Sequence, residues 1–238
     1  MKYYQLMTML PALPETPEAP PMALAEIWPL VRQSMEGSDM QGAMAVMEFL
    51  DCRNLESILQ GHDAFDERAP RPRQELEERE DLPEYMNEFL QTWDSGAAAG
   101  PYAFDELWRA YFANLWEQGA VLGSRFLQDW ATWETTMRNA LVRDRAARLG
   151  WEVEPRLLEP RHGEPSVGAL VMQVREAADP LTGKRLLDMA RLDAISEARG
   201  LDPFGRDAVY AYLAAMLVLD GWAMPKETHL AELLEQLG

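Results

Sequence analysis

The chain has 238 residues, of which 22 are Lys or Arg and 40 are Asp or Glu, a formal charge of −18. That length can bury a sizeable core, as one large domain or two small ones. So acidic a chain lacks the clustered cations that neutralise phosphates, which argues against nucleic-acid binding and against unassisted docking on an anionic membrane. The single cysteine, Cys52, cannot form an internal disulfide, and this suits a reducing cytoplasm.

The opening residues lack the long apolar core of a signal peptide. Five prolines between positions 11 and 21 rule out a helix there and predict an extended connector. Helical periodicity begins near Ala23, with Leu24, Ile27, Leu30 and Val31 repeating at three and four. A second amphipathic stretch carries Met40, Met44, Met47, Leu50, Leu55, Ile58 and Leu59, and Gly61 ends it. Residues 63–85 hold nine acidic and four basic side chains with Pro70, Pro72 and Pro83 among them, which predicts a loop with one exposed turn. Helix resumes over Glu84–Trp93 and stops at Asp94-Ser95-Gly96; residues 97–101 form a flexible joint.

The strongest periodicity follows. Phe104, Leu107, Trp108, Tyr111, Phe112, Leu115 and Trp116 lead into a pattern that runs through Trp130 and Trp133 to Leu149. A continuous helix of this length would extend roughly 60–70 Å. Gly119 and Gly123 are the positions that would bend or split it, and Gly150 is the expected stop. A second connector is expected over 150–168, with Pro155, Pro160, Gly163 and Pro165. Beyond it, Asp179-Pro180 signals a turn, and Asp202 with Pro203 is the predicted N-cap and first residue of a helix over 203–223. The twelve residues Ala208 to Leu219 are apolar without interruption, too short for a membrane span and suited to the centre of a bundle. Strand signals are poor throughout. The expected fold is all-α, with helical bundles of long helices, an N-terminal region over 1–150 and a C-terminal region over 151–238 forming one continuous unit.

Residues with chemical potential read mostly as structural. Gly183-Lys184 lacks both the Ser or Thr and the earlier glycine of a phosphate loop, so a charged turn is expected, and no nucleotide hydrolysis. His62, His162 and His229 have no second ligand at metal spacing. Cys52 next to Asp51 reads as a passive, half-buried thiol of raised pKa. The run Glu75, Glu77, Glu78, Glu80 and Asp81 reads as a solvated face or a docking surface for a basic partner. The aromatic ladder reads as core, with Trp108, Phe112, Trp116, Trp130, Tyr210 and Leu213 expected to be buried. No catalytic residue, cofactor or metal site is expected.

Asp51-Cys52-Arg53-Asn54-Leu55-Glu56-Ser57-Ile58-Leu59 has the form D-x-x-N-L-x-x-x-L, and a weaker copy with Trp133, Thr136, Met137 and Leu141 stands 82 positions later. This pattern resembles the repeated helix of the C/d family of V/A-type rotary ATPase subunits. Lys2-Tyr3-Tyr4-Gln5-Leu6, running on to Leu10-Pro11-Ala12-Leu13, is similar to the family's opening segment. The helix Trp133 to Leu141, with Asn139, and the stretch Asp202-Pro203-Phe204-Gly205 leading to Tyr210 and Trp222 extend the likeness, which is greatest to short C/d-like proteins of bacterial V/A-type ATPases. The chain is shorter than full-length members of the C/d family and lacks their last D-x-x-N-L helix after Trp222.

The resemblance implies a non-catalytic adaptor, cytoplasmic and peripheral to the inner membrane. Its partners would be central-stalk and rotor-ring subunits, and it would reach the membrane only through them. Asp51 and Asn54, one turn apart, are expected to fix helix-to-helix register. The alternatives are an all-helical chaperone for redox-enzyme maturation and an enzyme binding metal through carboxylates. Against the second, no Glu-x-x-His pair of the di-metal bundle kind is present, since Glu159 and His162, which have that spacing, fall in the proline-rich connector.

Overall fold

The computed structural model describes residues 2–96, 103–150, 157 and 166–223. Among these residues there are ten α-helices and no strand, so the fold is all-α. The second connector, apart from its ends and residue 157, lies outside the described residues, as do the 97–101 joint, His162, Pro225 and His229. Among the described residues no helix is long and apolar enough to cross a membrane.

The chain divides into two compact units, residues 1–35 with 173–238, and residues 36–172. The boundary at 150 and 151 drawn from the sequence runs within the second of these.

The discontinuous unit is built from α1 (Tyr4–Met9), α2 (Leu24–Ser34), the end of α8 (Gly168–Arg175), α9 (Pro180–Ala198) and α10 (Arg206–Asp220). Leu24, Ile27 and Val31 of α2 are fully buried, as the spacing of three and four requires for one apolar stripe. In α10 the uninterrupted apolar run is covered all round: Val209, Tyr210, Leu213, Met216 and Leu219 have no exposed surface. The N-terminal segment joins this unit through Tyr3, whose N–H donates to the Phe204 carbonyl at 2.6 Å. Pro11 accepts from the Tyr212 hydroxyl at 3.0 Å, so the proline-rich connector is tied to α10 at its start.

Helix α10 begins at Arg206 with Gly205 as N-cap, not at Pro203. Asp202 accepts instead from the Phe204 N–H at 3.2 Å, forming a turn before the helix. An Asp-Pro cap does occur one helix earlier. Asp179 accepts from the Thr182 N–H at 2.8 Å and Pro180 is the first residue of α9. Gly183 and Lys184 therefore lie within the first turns of that helix. Lys184 is held by Asp188 at 2.6 Å and lies over the Trp222 ring.

The continuous unit holds α3 (Gly37–Leu59), α4 (Arg73–Glu78), α5 (Glu84–Asp94), α6 (Ala103–Leu122) and α7 (Arg125–Leu149). The long aromatic pattern is split into α6 and α7 at Gly123, whose φ of +63° only glycine adopts freely. Ser124 N–H reaches the Gly119 carbonyl and Gly123 N–H the Ala120 carbonyl, the paired bonds that close a glycine-terminated helix. Ser124 then caps α7 through Leu127 N–H. At Gly119 a Cβ would stand 2.8 Å from Gln128 Cγ and 3.0 Å from its backbone nitrogen, so the missing side chain lets α7 turn back tightly against α6. Gly150 ends α7 at φ +67°, as expected.

Leu107, Tyr111, Phe112 and Leu115 of α6 are buried between α3, α5 and α7, together with Phe126, Leu127 and Trp130. Phe112, Trp130, Tyr210 and Leu213 are buried as expected, whereas Trp108 and Trp116 are only half-buried. Trp108 keeps one edge near the surface because its Nε1–H donates to Glu56 at 3.1 Å. Helix α4 is more than an exposed turn, since Leu76 is buried beneath it while Glu77, Glu78, Glu80 and Asp81 stay in solvent.

Candidate functional site

One group of buried polar side chains in the continuous unit lies on a face of α3, and a second, Thr132, Glu134, Thr135, Thr136 and Asn139, lies along α7. Glu48, Asp51 and Asn54 recur every three residues, so they share that face one turn apart, and Cys52 and Leu55 lie alongside. Asp51 and Cys52 are completely buried, and Asn54 is 2% exposed. The segment 60–72, which leaves α3 at Gly61 and runs back over the helix, covers Asp51 and Asn54.

Asn54 grips this segment with both ends of its amide. Its Oδ1 accepts the Asp66 N–H at 2.7 Å and its Nδ2 donates to the Asp66 carbonyl at 3.0 Å. The side chain thus replaces a neighbouring backbone for a residue that has none. Asp51 does the same for Arg71, accepting its N–H at 3.1 Å and its guanidinium at 2.7 Å. Arg71 also reaches Glu48 at 3.3 Å. The other Glu48 oxygen accepts from the Tyr85 hydroxyl of α5 at 3.3 Å, and that hydroxyl lies 3.5 Å from Cys52 Sγ. Asp66, in turn, holds Arg68 at 2.6 Å.

Two carboxylates here face one guanidinium out of water. Burial pushes the Asp51 carboxyl up to about 7, outweighing the attraction of Arg71. Burial raises Glu48 as well, against the same Arg71 contacts. Cys52 is driven far above its usual range by burial, so it is an inert thiol rather than a nucleophile, and it is fully rather than half buried. Asp66 goes the other way: burial disfavours its charge, but the Arg68 hydrogen bonds prevail and hold it below the usual carboxylate range.

The expectation that Asp51 and Asn54 set helix-to-helix register is corrected: both bind an irregular segment, not a neighbouring helix. The physical reason is that helix backbones satisfy themselves, whereas a loop laid on a helix has unpaired N–H and C=O groups that need side-chain partners. Leu55, buried beside them, packs as core.

Of the other motif residues, Trp133 and Asn139 lie on α7. Trp133 is half-buried and stacks on Trp130 with centroids 5.7 Å apart and planes 7° from parallel. Asn139 is 1% exposed. In the 82-position copy Leu55 and Met137 are both buried, and Leu59 and Leu141 are both half-buried. The polar positions differ: Thr136, where Asn54 would be, donates to the Thr132 carbonyl of its own helix. Asp202, Pro203 and Tyr210 belong to the discontinuous unit, where Asp202 pairs with Lys2 at 3.3 Å, Pro203 is exposed and Tyr210 is fully buried.

Residues 1–179 match the family model described as Protein of unknown function (DUF2764). The chain belongs to this family. The match takes in Asp51, Asn54, Leu55, Trp133 and Asn139 and ends at the N-cap of α9, so the DUF2764 region includes the whole continuous unit, whereas Asp202, Pro203 and Tyr210 lie beyond it. No curated protein and no solved structure matches the chain.

Sequence reading did not single out Glu48, Arg71, Asp66 or Tyr85. A signal for the first two exists. Two acids one turn apart on the face of a helix that also carries core residues demand a cation, and the following segment supplies Arg68, Arg71 and Arg73. Among the described residues, no group of three or more His, Cys, Asp or Glu stands where it could hold a metal ion.

Proposed function

We propose that the chain is a non-catalytic, all-helical adaptor related to the C/d family of V/A-type rotary ATPases, placed between the central stalk and the rotor ring. The observation that carries this reading is the use made of the D-x-x-N-L residues. Asp51 and Asn54 are buried and occupied in binding the chain's own backbone, and Leu55 is core. Residues used in this way serve the chain's own packing, and their polar groups are occupied by the chain itself in place of a substrate. A part that transmits torque by shape requires that arrangement, with long helices such as α3, α6 and α7 and broad protein contacts. The acidic charge supports docking on basic partner surfaces, where complementary charge speeds and orients association. In this role the protein would be cytoplasmic and reach the inner membrane only through its partners.

The test is recovery of the tagged full-length protein from its native cell at low and at high salt. Central-stalk or rotor-ring subunits should be retained at low salt and lost as salt rises. Retention of a redox-enzyme precursor, with no ATPase component at either salt concentration, would replace this reading with that of a maturation chaperone.

A further inference from the structure

The segment 60–72 lies over α3 without one buried residue of its own. Apolar anchoring therefore contributes little to its position. It is held by the Asn54 and Asp51 bonds, by Ser57, whose hydroxyl donates to the Ala64 carbonyl at 2.6 Å, and by Arg73, which donates to the Asp63 carbonyl at 2.8 Å and lies over the Phe65 ring. Beneath it, Glu48 and Asp51 share Arg71 from adjacent helical turns, Asp51 fully covered and Glu48 8% exposed. With both carboxylates ionised the trio carries one negative charge that Arg71 does not balance; with one proton bound it is neutral. We propose that residues 60–72 form a proton-gated strap: a proton shared by Glu48 and Asp51 keeps it closed on α3, and loss of that proton favours an open form in which water solvates both carboxylates.

The groups that face the pair are Cys52 from its own helix, Arg71 from the strap, Tyr85 from α5 and Tyr111 from α6, the last coupled to Glu134 and Arg138 of α7. Burial pushes Cys52, Tyr85 and Tyr111 far up, so all three stay neutral near pH 7 and Arg71 is the counter-charge at hand. The closed form, with Asp51 at about 7, keeps a proton that ordinary carboxyls release near pH 4. Closure therefore weakens as pH rises between those values, by up to about tenfold per pH unit for one proton, and levels off above. Opening would uncover Glu48, Asp51 and Asn54, the polar face of the D-x-x-N-L helix.

The experiment is amide hydrogen exchange of the full chain at pH 5, 6, 7 and 8, corrected for the intrinsic pH dependence of exchange. The Asp66 and Arg71 amides should open up to about tenfold more often per unit from pH 5 to 7 and change little from 7 to 8. The Tyr210 amide of α10 should not follow them. In Asp51→Asn the carboxyl that burial raises is gone, and the slope should fall below about twofold per unit. A flat wild-type profile, or an unchanged slope in Asp51→Asn, would overturn the proposal. If that variant does not fold, carbon-13 titration of the wild-type side-chain carboxyls decides. One carboxyl of the pair titrating near pH 7 supports the strap, and both titrating near 4 overturns it.

Discussion

Helix α10 and helix α3 are both largely covered, but by different means. Around α10 the cover is apolar, and Val209, Tyr210, Leu213 and Met216 vanish into other side chains. Along α3 one face is buried in the same way, through its own Met47, Leu50 and Leu55, while another is covered by a polar segment that touches it through Glu48, Asp51 and Asn54. Burial of apolar surface is non-directional and insensitive to pH, whereas a buried ion cluster depends on geometry and on proton count. The two regions should therefore fail differently when they are perturbed.

The largest effect is expected in the apolar region. Tyr210→Ala removes a ring with no exposed surface and should destabilise its unit by on the order of 3–5 kcal/mol in urea unfolding. That loss should be the same at pH 5 and pH 8. A loss below about 1 kcal/mol would mean that α10 is less tightly enclosed than its burial shows. Arg71→Met comes next, because it leaves Asp51 and Glu48 without their cation. A cost of about 3 kcal/mol is expected, part of it relieved when the carboxylates take up protons or the strap opens.

The pH dependence is third and separates the regions directly. A carboxyl with a raised folded-state pKa binds more protons folded than unfolded, so its contribution favours folding at low pH and is lost as pH rises toward about 7. From pH 5 to pH 8 the continuous unit should lose on the order of 2 kcal/mol through Asp51, and Asp51→Asn should flatten that fall. Asp66 has the opposite sign: its lowered pKa gives stability that is lost only as pH drops below its usual range, outside this window. The smallest effect belongs to Asn54→Ala, about 1–2 kcal/mol for two lost hydrogen bonds, read as weaker protection of the Asp66 amide.

How much of this was legible in the sequence follows the same division. Helix α10 could be read from twelve apolar residues, and α2, α5, α6 and α7 from spacing, because periodicity records burial directly. Gly123 and Gly150 were readable as stops because left-handed backbone selects glycine. Asp202-Pro203 was misleading because the same dipeptide suits a turn as well as a cap, and only the following bonds distinguish them. The strap was not legible. Its proline and charge content resembles any solvated loop, and the pairing of Arg71 with Asp51 crosses 20 positions that no helical period spans. The D-x-x-N spacing marked Asp51 and Asn54 as a unit but gave no indication that their partner was backbone from an irregular segment.

The account rests on Asp51 acting through Arg71 to hold that segment, and a double-mutant cycle measures this most directly. Urea unfolding of wild type, Asp51→Asn, Arg71→Met and the double variant at pH 7.5 gives their coupling energy. The two single losses should exceed the loss in the double variant by at least about 1.5 kcal/mol, since each single change strands the other group. Losses that add to within about 0.3 kcal/mol would contradict it and show the two residues to act independently.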